Sequence, residues 1–284
     1  ETVESVVKGR PKLSSVDDTE LVQRTRELMP LFAEIFSAHS EASAAASVTM
    51  GAITGLALGM GKPGLDLRIA GGLGGVDSAA PSFAMWQISR IVRNSPALTQ
   101  EFDAGIGGLE ARLLAIDDPA FNTAFRSLLD LHGSRGPNEW ELRSQTWETN
   151  PELALALIDR MRLAADDQDP QIRHQEAKER SSTALSELRT MVSGDETSAG
   201  TLEIAVTSSS VFIPARENAK TAIVKVVHEV RLAALELGRR LAEDGRLEDQ
   251  RHIFMLQDKE LEEAIAGNMA KEASDREKQY LQLF

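Results

Sequence analysis

The spacing of apolar residues is the feature that most constrains this chain. Apolar side chains recur every three or four residues along most of its length, whereas alternation with a period of two is nearly absent. A helix brings positions i, i+3, i+4 and i+7 onto one face, and a half-buried strand requires alternation instead. The sequence therefore predicts a mainly α, multi-helix fold.

Several predicted helices have recognisable ends. Asn150, Pro151 and Glu152 combine an N-cap residue, a first-turn proline and an acid near the positive end of the helix dipole, so a helix should begin there. The longest predicted helix carries one apolar stripe and is followed by Gly245, a typical stop signal. The predicted ranges are 18–38, 40–60, 80–93, 118–131, 151–165, 171–193, 197–212, 215–243 and 257–281.

Two stretches interrupt the helical pattern. Residues 71–75 are four glycines and a leucine, which predicts a flexible connection, and residues 133–147 mix Gly, Pro, Asn and two Trp, which predicts a structured loop. The second stretch suggests two helical subdomains. We place one at 1–145, rich in small residues, and the other at 146–284, with longer and more charged helices. The charged segment 165–180 is interpreted as a solvated turn and helix face.

The charge and the cysteine count exclude several classes of function. A formal net charge of −13 without clustered Lys and Arg argues against nucleic-acid binding. With no cysteine there is no disulfide, no thiolate nucleophile and no cysteine-bound zinc, so a reducing compartment, the cytoplasm, is expected.

The chain opens on Glu1 without a signal peptide and stops on apolar residues, and we expect both ends to be cuts in a longer protein.

One segment, 42–60, is uncharged enough to be considered as a membrane span. It consists mainly of Ala, Ser, Thr and Gly rather than Leu, Ile and Phe, so we interpret it as a buried helix and expect no membrane partner.

The sequence does not match the known nucleotide-binding and metal-binding motifs. Gly61-Lys62 is followed by Pro63 instead of Ser or Thr, Asp77 replaces the third glycine of a dinucleotide fingerprint, and Leu232 replaces the second histidine after His228-Glu229. No metal site is predicted.

Two constellations could carry chemistry. In the first, a tight loop over 132–142 holds Arg135 and Glu139 four residues apart, beside aromatic residues. The two could lock the loop as an ion pair, or Arg135 could offer its planar guanidinium to a phosphate or carboxylate. In the second, Arg216 and Lys220 lie one turn apart on one helix face. They could bind a transferring phosphoryl group, or form a surface pair satisfied by Glu217.

These two constellations resemble signatures of the phosphoenolpyruvate-utilising phosphotransferases, particularly rifampicin phosphotransferase and the phosphoenolpyruvate synthase-like proteins. The resemblance covers most of the chain. It is carried by the 132–142 loop, Trp147 to Ala154, the Ala-Arg-Glu-x-x-Lys sequence at 215–220, His-Glu-x-Arg at 228–231, Leu-Gly-Arg-Arg-Leu at 237–241, and 245–249 with 253–256. Residues 71–92 also resemble a Gly-Leu-rich stretch of the family.

The resemblance implies that this is the acceptor-binding helical domain of such an enzyme and is inactive by itself. An upstream domain binding ATP and magnesium and a downstream phosphohistidine swivel domain would be its partners, and this chain would hold no cofactor. Arg216 and Lys220 would meet the phosphorylated histidine, while Arg135 and Glu139 would contact a small hydroxylated acceptor such as a rifamycin. Adaptable apolar side chains would line the acceptor pocket, namely Met50, Met60, Met85 and Trp86.

Two alternatives stay open from the sequence. The chain could be a non-catalytic helical module that binds other proteins through an apolar groove. It could also be an independent hydrolase, whose nucleophile, base and orienting group need not be close in sequence.

Overall fold

The computed structural model describes residues 2–73 and 79–283, and within these ranges the chain forms helices and loops without a strand. The predicted mainly α fold is confirmed. Gly74 and Gly75 of the predicted flexible connection lie outside the described residues. The α-helices are α1 Thr2–Lys8, α2 Asp18–Gly59, α3 Leu65–Ala70, α4 Ala80–Asn94, α5 Pro96–Asp103, α6 Leu109–Ile116, α7 Pro119–His132, α8 Glu152–Arg162, α9 Pro170–Val192, α10 Glu196–Glu243, α11 Leu261–Ala266 and α12 Ala270–Gln282.

Two of these helices are longer than predicted. The predicted helices 18–38 and 40–60 are one helix, α2, and 197–212 and 215–243 are one helix, α10. Each contains an internal proline, Pro30 and Pro214, which removes one backbone hydrogen bond but does not end the helix. Apolar residues on both sides of each proline are buried, so tertiary packing outweighs this local cost. Gly245 has a φ of 71° and follows α10, as predicted.

The chain divides into two compact units. The first unit contains Glu1–Phe36, Gly136–Gln145 and Thr221–Phe284, and the second unit contains Ser37–Arg135 and Thr146–Lys220. This differs from the predicted consecutive halves, 1–145 and 146–284, although one change of unit does fall between 145 and 146. The difference arises because α2 and α10 each contribute residues to both units, which a division based on loop composition does not detect.

The second unit contains two apolar clusters. One unites α4 to α8 around Ile88, Leu113, Phe121 and Leu155. The other unites α2, α3, α9 and α10 around Ile53, Ile69, Leu188 and Leu202.

The helix predicted at 40–60 is buried on one face only. Ala42, Ala46, Ile53 and Ala57 are buried, whereas Val48 is 74% exposed and Leu58 is 57% exposed. Among the described residues, α2 is the one helix long and apolar enough to cross a membrane, and 22% of its apolar window is buried. A single helix of this kind is weak evidence for a membrane span, because helices of water-soluble cores reach the same length and composition.

Buried charges organise the first unit. Arg231 is 1% exposed and donates to the carbonyl oxygens of Glu139 at 3.0 Å, Glu141 at 2.9 Å and Leu142 at 3.0 Å. Its Nη1 also donates to His228 Nδ1 at 3.2 Å, because a guanidinium cannot accept. Burial lowers the pKa of the Arg231 guanidinium to about 10, so it stays charged at neutral pH. Arg231 therefore ties the 136–145 loop to α10.

A second buried group, Glu229, is 1% exposed and receives two cations. Arg10 and Arg24 each approach one of its carboxylate oxygens at 2.7 Å. The pairing offsets the cost of burying this carboxylate and connects Arg10, α2 and α10 within the first unit.

An ion pair between α12 and the 3₁₀ turn Asp258–Glu260 predicts a pH dependence of stability. Arg276 donates to both carboxylate oxygens of Glu260, at 2.6 and 2.8 Å, and the Gln257 amide donates at 2.8 Å. These contacts lower the pKa of Glu260 from an ordinary 4.5 to about 2. A depressed carboxyl pKa adds stability above pH 4.5 that is lost as the pH falls toward 2.

We therefore expect the thermal midpoint to fall more steeply over this acid range in the native protein than in the Glu260→Gln variant, which cannot titrate at this position. Thermal melts at a series of pH values measure both slopes. Glu248→Gln, which changes an exposed carboxylate, is the matched control. Parallel profiles for the native protein and Glu260→Gln would contradict the assignment.

Candidate functional site

The predicted basic pair lies on α10 in the second unit. Arg216 is half-exposed, and its Nη2 and Nε donate to Glu217 Oε1 at 2.7 and 3.1 Å. The Arg216 carbonyl receives a hydrogen bond from His39 Nδ1 on α2 at 3.1 Å, which fixes the proton on that nitrogen. The contact with Glu217 is the one expected of a surface pair. The role of Arg216 and Lys220 in phosphoryl transfer stays a prediction.

Backbone hydrogen bonds join the first residues of the predicted 132–142 loop to residues 147 and 148. The Trp147 amide donates to the Arg135 carbonyl at 2.8 Å, and the Glu148 amide donates to the Gly133 carbonyl at 2.9 Å. Arg135 belongs to the second unit and Glu139 to the first. The substrate-binding role predicted for Arg135 and Glu139 also stays a prediction.

The predicted apolar wall is dispersed in the structure. Met50 packs against the cluster formed by α2, α3, α9 and α10, whereas Met85 is 2% exposed in the cluster formed by α4 to α8. Met60 follows α2 and is 37% exposed. Trp86 is 6% exposed and lines a cavity. The structure therefore singles out Trp86 among the four.

The Trp86 cavity has a volume of about 480 Å³ and lies within the second unit. Pockets that bind small molecules have volumes of about 300–1,000 Å³. Three separate segments line it and leave it open to solvent: residues 79–86 at the start of α4, residues 160–164 at the end of α8, and residues 168–174 at the start of α9. The lining residues are Ala79, Ser82, Phe83, Trp86, Arg160, Met161, Ala164, Gln168, Pro170, Arg173 and His174.

A network of arginine contacts holds Trp86 in place. The Arg90 guanidinium lies 3.9 Å from the centroid of the Trp86 ring, in a cation–π arrangement. Arg90 also donates to the Met161 and Ala164 carbonyls and to Asp166, while Arg93 donates to the same carboxylate at 2.6 Å. Arg93 and then Arg90 lower the pKa of Asp166. The carboxylate is thereby kept ionised, and α4 is joined to the segment after α8.

The cavity combines an aromatic wall with nitrogen groups. The rings of Phe83 and His174 pack edge to face with centroids 5.8 Å apart. His174 Nε2 is buried and has no hydrogen-bond partner among the described residues. Arg160 and Arg173 supply exposed cations, and none of the described lining residues is a carboxylate. The arrangement can stack a planar apolar body and bind hydroxyl, phenolate or other oxygen groups.

Sequence reasoning predicted Trp86 but missed the other cavity residues. Phe83 and Arg160 look like ordinary positions of amphipathic helices, and His174 falls in the segment interpreted as solvated. The only sequence signal was the repeated aromatic at 83 and 86, one turn apart on α4. Neither Arg216 nor Lys220 lines this cavity.

Comparison with known proteins agrees with this division of the chain. A sequence model of the rifampicin phosphotransferase fourth domain matches residues 38–217, more than half of the 284 residues. The matched range has nearly the same limits as the second unit, which begins at Ser37 and ends at Lys220. No curated protein matches the chain. The chain belongs to the rifampicin phosphotransferase fourth-domain family.

Proposed function

We propose that this chain binds a small hydroxylated acceptor for phosphoryl transfer from a phosphohistidine on another domain. The acceptor occupies the Trp86 cavity. One observation carries the proposal: the cavity, lined by residues 79–174, lies wholly inside the range that matches the family. Its volume, aromatic wall and lack of a lining carboxylate among the described residues suit an oxygen-rich aromatic compound such as a rifamycin.

Within this proposal His174 orients the acceptor. Its ring packs against Phe83, and its Nε2 is buried without a partner among the described residues. A small rotation of the ring toward the cavity would let Nε2 bind an acceptor oxygen, which removes the cost of a buried polar atom without a partner. Arg160 and Arg173 contribute positive charge to the same wall. The acceptor gains both apolar contact with the Phe83 and Trp86 wall and charge-assisted hydrogen bonds.

Arg216 and Lys220 act in the transfer step rather than in acceptor binding. Both are on α10, where a phosphoryl group could replace Glu217 as the partner of Arg216. ATP and magnesium act on a separate upstream domain, and the phosphohistidine domain is the partner that delivers the phosphoryl group.

Calorimetric titration with rifampicin tests the cavity. Trp86→Leu should weaken binding by about tenfold or more, because the aromatic wall of the cavity and its contact with Arg90 are lost. His174→Phe, which keeps an aromatic ring but removes both ring nitrogens, should also weaken rifampicin binding. Trp140→Leu changes a tryptophan of the first unit and should bind like the native protein. Equal affinity of Trp86→Leu and Trp140→Leu would reject the Trp86 cavity as the acceptor site.

Titration with inorganic phosphate tests the basic pair separately. Arg216→Ala and Lys220→Ala should each weaken phosphate binding. Arg189→Ala removes another exposed arginine that is paired with a carboxylate, at 2.7 Å from Glu203, and should have no effect. If all three variants bind phosphate like the native protein, the transfer role is wrong while the acceptor cavity remains testable.

Exposed apolar side chains of the second unit support a second candidate, a non-catalytic protein-binding module. Val48 is 74% exposed, Ile204 71% and Leu58 57%. This candidate makes two predictions. The native chain should show no heat of binding with rifampicin, and Val48→Asp should abolish the binding of a partner protein.

A further inference from the structure

A second cavity, of about 500 Å³, lies in the first unit and shares no lining residue with the Trp86 cavity. Parts of α2, α10 and the 136–145 loop enclose it together with residues 253–261. Most of its wall is apolar, formed by Met29, Leu142, Val230, Ala234, Ile253, Phe254, Leu256 and Leu261. Met29 is 50% exposed, so the cavity is open to solvent on the α2 side.

The charged groups at this cavity are unequally available. Arg26 is engaged by carboxylates, since its Nε donates to Asp258 at 2.9 and 3.2 Å, and Nη1 and Nη2 donate to Glu262 at 2.5 and 3.0 Å. Its Nη2 also bonds the Asp258 carbonyl at 3.2 Å. Among the described residues, Glu141 accepts a hydrogen bond from the Arg143 amide at 3.1 Å, and the buried Arg231 guanidinium interacts with it electrostatically. A carboxylate can accept several hydrogen bonds.

Negative charge therefore exceeds positive charge around this cavity. Among the described lining residues, Glu141 and Asp258 are carboxylates and Arg26 is the one cation. Glu262 lies outside the lining and pairs with Arg26, as Asp258 does. Nearby, Arg276 and Glu260 neutralise each other. An anionic ligand would be repelled and would find the Arg26 donors occupied, whereas a cation would find acceptor oxygens.

The structure assigns this cavity to a small amphiphile with an apolar body and one ammonium group. The body leaves water for the apolar wall, and the ammonium binds oxygens of Glu141 and Asp258. The inference does not depend on the proposed acceptor function, because it uses only first-unit residues.

Three ligands with one apolar body test the charge preference. The fluorescent reporter N-phenylnaphthylamine, which is uncharged and apolar, is first bound to the full chain. It is then displaced by phenylbutylamine, phenylbutanol or phenylbutanoate. The amine should displace it at about tenfold lower concentration than the carboxylate, with the alcohol between them. Equal displacement by amine and carboxylate would overturn the charge assignment.

Two variants locate the site. Ala234→Phe fills the cavity and should abolish reporter binding, whereas unchanged binding would place the reporter elsewhere and overturn the proposal. Glu141→Gln, on an exposed side chain that should not disturb folding, should reduce amine affinity to that of the alcohol and leave the alcohol unchanged. Glu203→Gln, on an exposed carboxylate of the second unit, should leave the amine preference intact. A preference that survives Glu141→Gln undiminished would remove the ammonium site.

Discussion

Replacement of Arg231 by leucine should lower the free energy of unfolding by about 3–5 kcal/mol, the cost typical of breaking a buried charged network. Leucine cannot donate to the carbonyls of Glu139, Glu141 and Leu142, and these oxygens would lose a charge-assisted partner. His228 would lose its partner at Nδ1 as well. Chemical denaturation followed by circular dichroism measures the change.

Two further substitutions separate hydrogen bonding from charge. Arg231→Lys keeps a cation but replaces the planar fork with a compact ammonium, so it should recover only part of the lost stability. Arg189→Leu removes an exposed arginine and should change stability by less than about 1 kcal/mol. The 136–145 loop should also become more sensitive to proteolysis in Arg231→Leu. If Arg231→Leu unfolds at the same denaturant midpoint as the native protein, Arg231 does not hold the loop.

Substitution of Gly238 by alanine should cost about 3 kcal/mol, although alanine normally favours a helix. A Cβ at Gly238 would lie 2.1 Å from the Gln250 carbonyl oxygen and 3.0 Å from Ile253 Cβ. The obstructing atom is backbone, in the 3₁₀ helix Gln250–Met255, so a side-chain rotation cannot relieve the contact. The 3₁₀ helix must move away from α10 in the variant.

Gly200 provides a matched control in the same helix. A Cβ there meets no atom within 4 Å, so Gly200→Ala should stabilise the protein by about 0.4–1 kcal/mol through the unfolded chain. Thermal and denaturant unfolding of both variants give the comparison. Similar changes at the two positions would contradict a close approach at Gly238.

The sequence predicted the long elements of the fold better than the short ones. Periodic apolar residues over many turns revealed α9 as one helix, and α2 and α10 each as two shorter helices, because each repeats a buried stripe. Helices α3, α5 and α6 contain at most eight residues each, too few for a period to emerge. Their ends instead depend on local contacts, such as the Ser95 side chain accepting from the Leu98 amide at 3.4 Å.

The candidate cavity was only partly predictable for a different reason. Trp86 could be named from its type, but Phe83, Arg160 and His174 become neighbours only when three distant segments pack together. The segment holding His174 is rich in charge, and the pattern does not distinguish a solvated face from a cavity wall. The basic pair is a different case, because its helix could be predicted from the sequence. The sequence left open whether Arg216 contacts Glu217 or binds a phosphoryl group, and in the structure Arg216 contacts Glu217.

The interleaving of the two units has a consequence for synthesis on the ribosome. The second unit possesses all its residues once Lys220 has been made, whereas the first unit also requires the stretch from Thr221 onward. Chains are translated at about 5–20 residues per second, and domains tend to fold as they emerge. The early segment Glu1–Phe36 must therefore wait for its partners, with Leu28 exposed until α10 emerges and Leu21 until α10 and the helices after it emerge.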